Sequence, residues 1–280
     1  EETEKILTYN NHRPNLPIRI NTFKSSFFEV TNFLKENEIV FYKTAYMENS
    51  LRLKTSKANV LLSDIMNSGK VTVQDTSASL ACRLAAPQKE QYVIDLCAAP
   101  GGKTMYLAEI MQDTGKILAI DKYSSKLHLI EESAERLGIN SITTLMADST
   151  EYQPEEQADI VFADVPCSGL GTLSKRPDIK WKREVDHISQ LVKIQRNILS
   201  NAASIVKPGG VLLYSTCTIE PEENIENARW FLENFPEFEL DPAEKYIHHE
   251  VCNEGYMQTY PHLNYCDGAF AARFVKKNDG

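Results

Sequence analysis

From about residue 91 onward, short apolar runs alternate with stretches whose apolar positions recur every third or fourth residue. "QYVIDLC" predicts a strand ending in a loop, and "KTMYLAEIMQ" a helix. "GKILAID" predicts a second strand. "SSKLHLIEESAERLG" predicts a helix with a serine cap and a glycine stop. "ITTLMADS" and "ADIVFADVP" predict two more strands. "DHISQLVKIQRNILSNAASIVKPGG" predicts a long helix, "VLLYSTCT" a strand and "EENIENARWFLENF" a further helix. The end of the chain predicts two strands around a loop, "YMQTYPH" and "GAFAARFVKK". Strands separated by helices imply an α/β fold with a doubly wound, mostly parallel sheet. The terminal hairpin would add an antiparallel strand.

The first 90 residues break this rhythm. "PIRINTF" reads as a strand, "SFFEVTNFLKENE" as a helix, and "VTVQDTSASLACRLAA" as a turn leading into a helix. The expected organisation is therefore a small α+β module over residues 1–88, followed by a main domain over residues 89–280. No internal repeat or low-complexity segment interrupts either part.

Composition narrows the class without naming it. Apolar residues make up 42% of the chain and charged residues 25%, as in a globular protein. No apolar run approaches the roughly 20 residues of a membrane span, and the N-terminus lacks a signal-peptide pattern. The opening "EETEKILTYNNHRP", with no initiator Met, suggests a piece of a longer polypeptide. Six cysteines are too few for a disulfide scaffold and none forms a CxxC pair, so no structural zinc is expected and a reducing, cytoplasmic compartment fits.

The net charge of −9 argues weakly against a nucleic-acid partner. Its distribution changes the picture. Residues 1–90 carry a small basic excess, with Arg13, Arg19 and Lys24 among its members. "SKRPDIKWKR" gathers Lys175, Arg176, Lys180, Lys182 and Arg183 around Trp181. From charge alone this stretch reads first as a solvated loop, with a local basic surface as the other reading.

The candidate chemistry sits at the ends of the predicted strands. "DLCAAPGGKT", Asp95 to Thr104, lies between the first strand and first helix of the doubly wound unit, where such folds bind ligands. Pro100 fixes a turn, and Gly101 and Gly102 permit close backbone approach to a ligand. The stretch is neither GxGxxG nor GxxxxGKT, so neither a dinucleotide nor a P-loop nucleotide follows. Asp121, Asp148 and Asp164 close the next three strands. Aspartate also favours helix caps, but four on one rim suit ribose and adenine. Acids with a single lysine, Lys103, fit a cofactor bearing ribose, adenine and a positive charge, as S-adenosylmethionine does.

Taken together, "DLCAAPGGKT", "ADVPCSGLGTLSKRPDIKW", "YSTCTIEPEEN" and "DGAFAARFVKK" resemble the Sun (Fmu) family of S-adenosylmethionine-dependent RNA cytosine-5 methyltransferases. "LPIRINTFKSS" and "GKVTVQDTSASLA" are similar to that family's upstream motifs, so the resemblance runs from about residue 16 to 276. It implies a class I, Rossmann-like methyltransferase domain behind an RNA-binding-like module, with RNA, and ribosomal RNA in particular, as substrate. Bacterial relatives of this kind often carry a further N-terminal helical domain.

The resemblance also implies roles. Cys217 would be the nucleophile, adding to carbon 6 of the base, and Cys167 would assist product release. Asp164 would face the base and donate a proton to the ring nitrogen, with Lys103 nearby. Cys97, Ala98, Ala99, Pro100, Gly101, Gly102, Lys103, Asp121, Asp148 and Asp164 would hold S-adenosylmethionine. Lys175, Arg176, Lys180, Lys182 and Arg183 would contact RNA phosphates. Cys82, Cys252 and Cys266 read as packing residues, and so does Cys97 outside its loop role. Two alternatives stay open: the same reaction on transfer RNA, and a catalytically idle RNA-binding assembly factor. A nicotinamide dehydrogenase is disfavoured by the missing GxGxxG.

Overall fold

A computed structural model describes residues 1–54, 63–182 and 185–278. The alternating pattern folds as expected, into an α/β domain with a central, mostly parallel sheet and a small N-terminal sheet beside it. The main parallel strands are β5 (Tyr92–Asp95), β6 (Lys116–Asp121), β7 (Ile142–Met146), β8 (Ala158–Asp164) and β9 (Val206–Thr216). They lie in the order β7-β6-β5-β8-β9. Helices α5 (Gly102–Ile110), α6 (Ser124–Leu137), α8 (Val185–Ile205) and α9 (Ile225–Asn234) connect or follow them. The long central strands are buried because helices cover both faces, so they read as near-continuous apolar runs.

The C-terminal strands are β12 (Tyr256–Thr259) and β13 (Ala269–Lys276). They pair antiparallel with each other, and β13 continues antiparallel along β9. The predicted terminal hairpin therefore closes the sheet on the β9 side. Chain order reverses between β5 and β8: β5 to β7 run one way and β8 to β9 the other. That switch point opens a crevice at the carboxyl ends of β5 and β8, the place where such sheets take ligands. Asp95 ends β5 and Asp164 ends β8.

The N-terminal sheet has the order β2-β3-β1-β4, formed by β1 (Leu16–Ile20), β2 (Val40–Lys43), β3 (Ser50–Lys54) and β4 (Val71–Val73). Helix α2 (Phe27–Glu36) covers it. Ser26 caps α2 by accepting a hydrogen bond from the Glu29 amide at 3.1 Å. Ile18, Ile20, Val30, Leu34, Leu51 and Leu53 form its core. Helix α1 (Glu2–Asn10) and strands β2 and β3 lie outside the sequence expectation; the strands have only four and five residues each. Helix α4 (Thr76–Ala85) packs its Leu80, Ala81, Cys82, Leu84 and Ala85 into the main core, not against the small sheet.

One buried ion pair joins the two bodies. Arg19 of β1 is fully buried, pairs with Glu109 of α5 and lies over the Tyr106 ring at 4.4 Å. Its Nε donates to Gln74 Oε1, and Gln74 Nε2 donates to the Gly102 carbonyl at 3.1 Å. The chain of contacts runs from the small sheet to the glycine-rich loop. Arg19 is thus an anchor within the protein and not part of an RNA-facing surface. Lys24, the neighbouring candidate, donates to the Arg136 carbonyl at 2.7 Å near the end of α6. Arg19→Met leaves Glu109 buried without its cation. We expect a loss of about 3–5 kcal/mol of unfolding free energy in urea titration, since an unpaired buried charge is costly. A loss below about 1 kcal/mol would show that Glu109 reaches water or another partner.

Candidate active site

The two cysteine loops are built by strand register. β8 and β9 pair in parallel with Asp164 opposite Ser215. Each cysteine lies a few residues beyond its paired strand position, so the two loops emerge side by side. Cys167 Sγ and Cys217 Sγ lie 3.1 Å apart, and the Cys217 amide donates to Cys167 Sγ at 3.3 Å. Both cysteines are free thiols.

A buried polar network locks the loops together. Glu223 Oε1 accepts from the Ser168 amide and from Gln195 Nε2, each at 2.8 Å. Ser168 and Thr218 hydroxyls meet at 2.7 Å, and Asn224 Nδ2 donates to the Thr218 carbonyl at 3.0 Å. Gly171 donates to the Cys217 carbonyl and accepts from the Gly268 amide. A Cβ at Gly171 would stand 1.8 Å from the Gly268 oxygen, so only glycine lets these three segments converge.

Lys103, from the first turn of α5, reaches Asp164 Oδ2 at 2.6 Å, while Ser215 Oγ donates to Asp164 Oδ1 at 2.7 Å. Both Asp164 oxygens therefore accept hydrogen bonds. The proton-donor role expected of Asp164 would require one of these donors to yield. Burial works against the Lys103 charge, but Asp164 and then Cys217 outweigh it and raise its pKa above the ordinary range.

The cysteines divide one proton unequally. The hydrogen bond between them is the main influence on both: it lowers the Cys217 pKa and raises that of Cys167. Burial raises both, and the positive charge of Lys103 further favours the Cys217 thiolate while Asp164 opposes it. The direction favours a thiolate at Cys217 over one at Cys167. The other cysteines are held as thiols. Burial pushes Cys97 up to about 12 and Cys252 to about 11, and raises Cys82 and Cys266 as well.

Two small cavities meet at Lys103. The first, about 190 Å³, is lined by Asp95, Cys97, Ala98, Ala99, Pro100, Gly102, Lys103 and Asp164, together with Gln74, Asp75 and Ala78. The glycine-rich loop, with Gly101 at φ +99°, thus forms one wall. Asp121 and Asp148 lie off this lining. Asp121 accepts from the Ala99 and Tyr123 amides and braces the loop. Asp148 pairs at 2.7 Å with the exposed Lys122. The second cavity, about 130 Å³, is lined by Asp75, Lys103, Ser215, Cys217, Asp267 and Phe270, among others.

The basic stretch divides. Arg176, Lys180, Lys182 and Trp181 are exposed, Trp181 at 89%. Lys175 turns inward, pairing with Asp75 and, at 2.9 Å, with Asp267. Two carboxylates compensate its charge, so it is not available to a phosphate in this arrangement. Arg183 lies outside the described residues. Asp75, Asp267, Ser215 and Gln74 were not singled out from sequence. Asp75 had a signal: it caps α4, accepting from the Ser77 amide at 2.9 Å. Asp267 opens the quoted stretch "DGAFAARFVKK", which was the signal available for it. No cluster of His, Cys, Asp or Glu among the described residues suits a metal, and no described helix is long and apolar enough to cross a membrane.

Comparison with known proteins gives the family and the fold. Residues 82–275 match the family model for the 16S rRNA methyltransferase RsmB/F, and residues 1–60 the ferredoxin-like domain of RsmF/B-like methyltransferases. The chain is 36% identical over 281 residues to a probable ribosomal RNA small subunit methyltransferase B of Synechocystis, covering 98% of this chain. It is 34% identical over 284 residues to the corresponding protein of Bacillus subtilis, covering 99%. It spans 63% of the length of each of these two relatives. A crystal structure of a methyltransferase homologue from Pyrococcus horikoshii superposes with a TM-score of 0.86 at 26% identity, covering 99% of this chain and 91% of the other.

Proposed function

Because the chain belongs to the 16S rRNA methyltransferase RsmB/F family, we propose that it transfers a methyl group from S-adenosylmethionine to carbon 5 of a cytosine in ribosomal RNA. The observation that carries this reading is the pair of cysteine sulfurs 3.1 Å apart beside the Lys103–Asp164 ion pair. An idle RNA-binding factor has no use for such a pair.

The residues present fit the cofactor. Asp95 Oδ1 is buried in the first cavity without a hydrogen-bond partner, an acceptor suited to an ammonium or amide donor. Thr104 donates to its other oxygen at 2.7 Å. A Cβ on Gly102 would meet nothing within 4 Å, so the backbone there stands open to a ligand. The carboxylates around the cavity suit a sulfonium cation. S-adenosylmethionine, when bound, supplies an electrophilic methyl group.

The chain's own residues then do the rest. Carbon 5 of cytosine is a weak nucleophile until the ring loses its aromaticity. The Cys217 thiolate adds to carbon 6, and carbon 5 becomes enamine-like. Lys103 offsets the negative charge that the ring gains. After methylation a base such as water takes the carbon 5 proton, the electron pair of the broken C–H bond becomes the C5–C6 double bond, and the C6–S bond breaks so that Cys217 departs as thiolate. Cys167 assists that departure. The base must leave its stack to reach a buried sulfur, so an opened or single-stranded RNA segment is expected. The exposed Trp181, with Arg176, Lys180 and Lys182, offers a stacking and phosphate-binding face for it.

The test uses RNA containing 5-fluorocytosine, which cannot lose a proton from carbon 5. Incubation with S-adenosylmethionine should give a covalent protein–RNA complex in denaturing mass spectrometry, mapped to Cys217. Absence of any complex with ribosomal, transfer or synthetic RNA would end this reading. A complex formed with transfer RNA alone would move the substrate to that class.

A further inference from the structure

The second cavity contains Cys217, so on the reading above it holds the target base. Three acids come near it, and they are not equivalent. Asp164 lines only the first cavity, and its oxygens accept from Lys103 and Ser215. Asp75 lines both cavities, but Oδ1 accepts from the Ser77 amide, the Ser77 hydroxyl and the Asp267 amide, while Oδ2 is held by Lys175. Of the two cavities at Lys103, Asp267 lines only the second; it also borders a space of about 20 Å³ beside Lys175 and Tyr265, and Lys175 holds just one of its oxygens, Oδ1, at 2.9 Å. Asp267 is therefore the carboxylate with accepting capacity left for a ligand in that cavity. Its position is fixed from three directions. Lys175 comes from the loop after β8, Asp75 from the cap of α4, and the Gly268 amide of its own segment donates to Gly171.

Cytosine and uracil differ at carbon 4 and at the adjacent ring nitrogen, which accepts in cytosine and carries a hydrogen in uracil. Cytosine offers an amino donor at carbon 4, and uracil an oxygen acceptor. Lys103, the cation lining the same cavity, can meet only acceptors. Something else must meet the amino group. We infer that Asp267 accepts a hydrogen bond from the exocyclic amino group of the target base, and so selects a 4-amino pyrimidine over a 4-oxo one. Lys175 is then the positioning residue that orients this carboxylate, which gives the half-buried Lys175 a purpose that phosphate contact does not. A ring bearing oxygen at position 4 would place two acceptors face to face in a buried site, a strongly disfavoured arrangement. Burial and the neighbouring Asp75 raise the Asp267 pKa to about 7 against the opposing pull of Lys175, so an ionised, accepting form is accessible near neutral pH.

This inference rests on the methyl-transfer reading, and the experiment separates the two. Adduct formation rates are measured with RNAs carrying, at the target position, 5-fluorocytosine or 5-fluorouracil, which bears oxygen at carbon 4. In the wild type the first should react faster. In Asp267→Asn the preference should shrink by about 10- to 100-fold, the range for a lost charge-assisted hydrogen bond. Asp267→Ser serves if the first variant does not fold, and retained binding of S-adenosylmethionine by calorimetry certifies either protein. An unchanged preference, with both rates falling together, would overturn the inference and leave Asp267 a brace for Lys175. No adduct in the wild type would instead defeat the methyl-transfer reading itself.

Discussion

Cys217→Ser should lose RNA methylation by about 10⁴-fold or more, and it should form no adduct with 5-fluorocytosine RNA. A serine hydroxyl is rarely ionised near neutral pH, and this site holds no strong base against residue 217 to activate one. The neighbouring substitution should behave differently. Cys167→Ser keeps a donor 3.1 Å from the Cys217 sulfur, so the first bond still forms. Release is impaired, and ordinary cytosine RNA should accumulate as a covalent complex visible on a denaturing gel. The contrast is informative because the two sulfurs are so close. If Cys167→Ser abolishes the adduct and Cys217→Ser preserves it, the roles are reversed.

The second large effect concerns Lys103. Lys103→Met removes the cation that pairs with Asp164 and favours the Cys217 thiolate. The expected fall in methylation rate is about 10²-fold, comparable to losing one preorganised charge at a transition state. The pH profile carries the diagnostic sign. Lys103 lowers the Cys217 pKa, so its removal raises it, and the thiolate appears only at higher pH. The acidic limb of the rate profile should therefore move toward alkaline pH, and the deficit should narrow as pH rises. A uniform fall with an unmoved limb would show that Lys103 serves cofactor binding and not the sulfur.

Some of this site was legible because it is contiguous. The loop from Cys97 to Lys103 sits between one strand and one helix, so its glycines and proline appear in order along the chain, and local geometry follows from them. The alternating strand and helix pattern placed Asp95 and Asp164 at strand ends for the same reason. Asp121 and Asp148 also fell at strand ends, but a strand end does not say which way a carboxylate turns. Asp121 turns into the loop amides and Asp148 toward Lys122. The basic stretch shows the same limit within one run of residues. Arg176, Lys180 and Lys182 stay in solvent, while Lys175 goes inward because Asp75 and Asp267, 100 and 92 residues away, are there to receive it. Likewise Arg19, counted from sequence only as part of a basic excess, is held by Glu109 in the seam between the two sheets.

By itself the sequence determined the α/β alternation, the glycine-rich turn and the two cysteine loops, since periodicity, capping and turn chemistry act between near neighbours. The tertiary structure alone decided which distant groups share a cavity. Register between β8 and β9 brought Cys167 to Cys217 across 50 residues. Convergence of three segments on Gly171 set Asp267 beside them. Once buried together, those groups exchange protons and charge strongly, because water no longer screens them. That coupling favours a thiolate at Cys217 over one at Cys167, and Lys175 engages only one Asp267 oxygen.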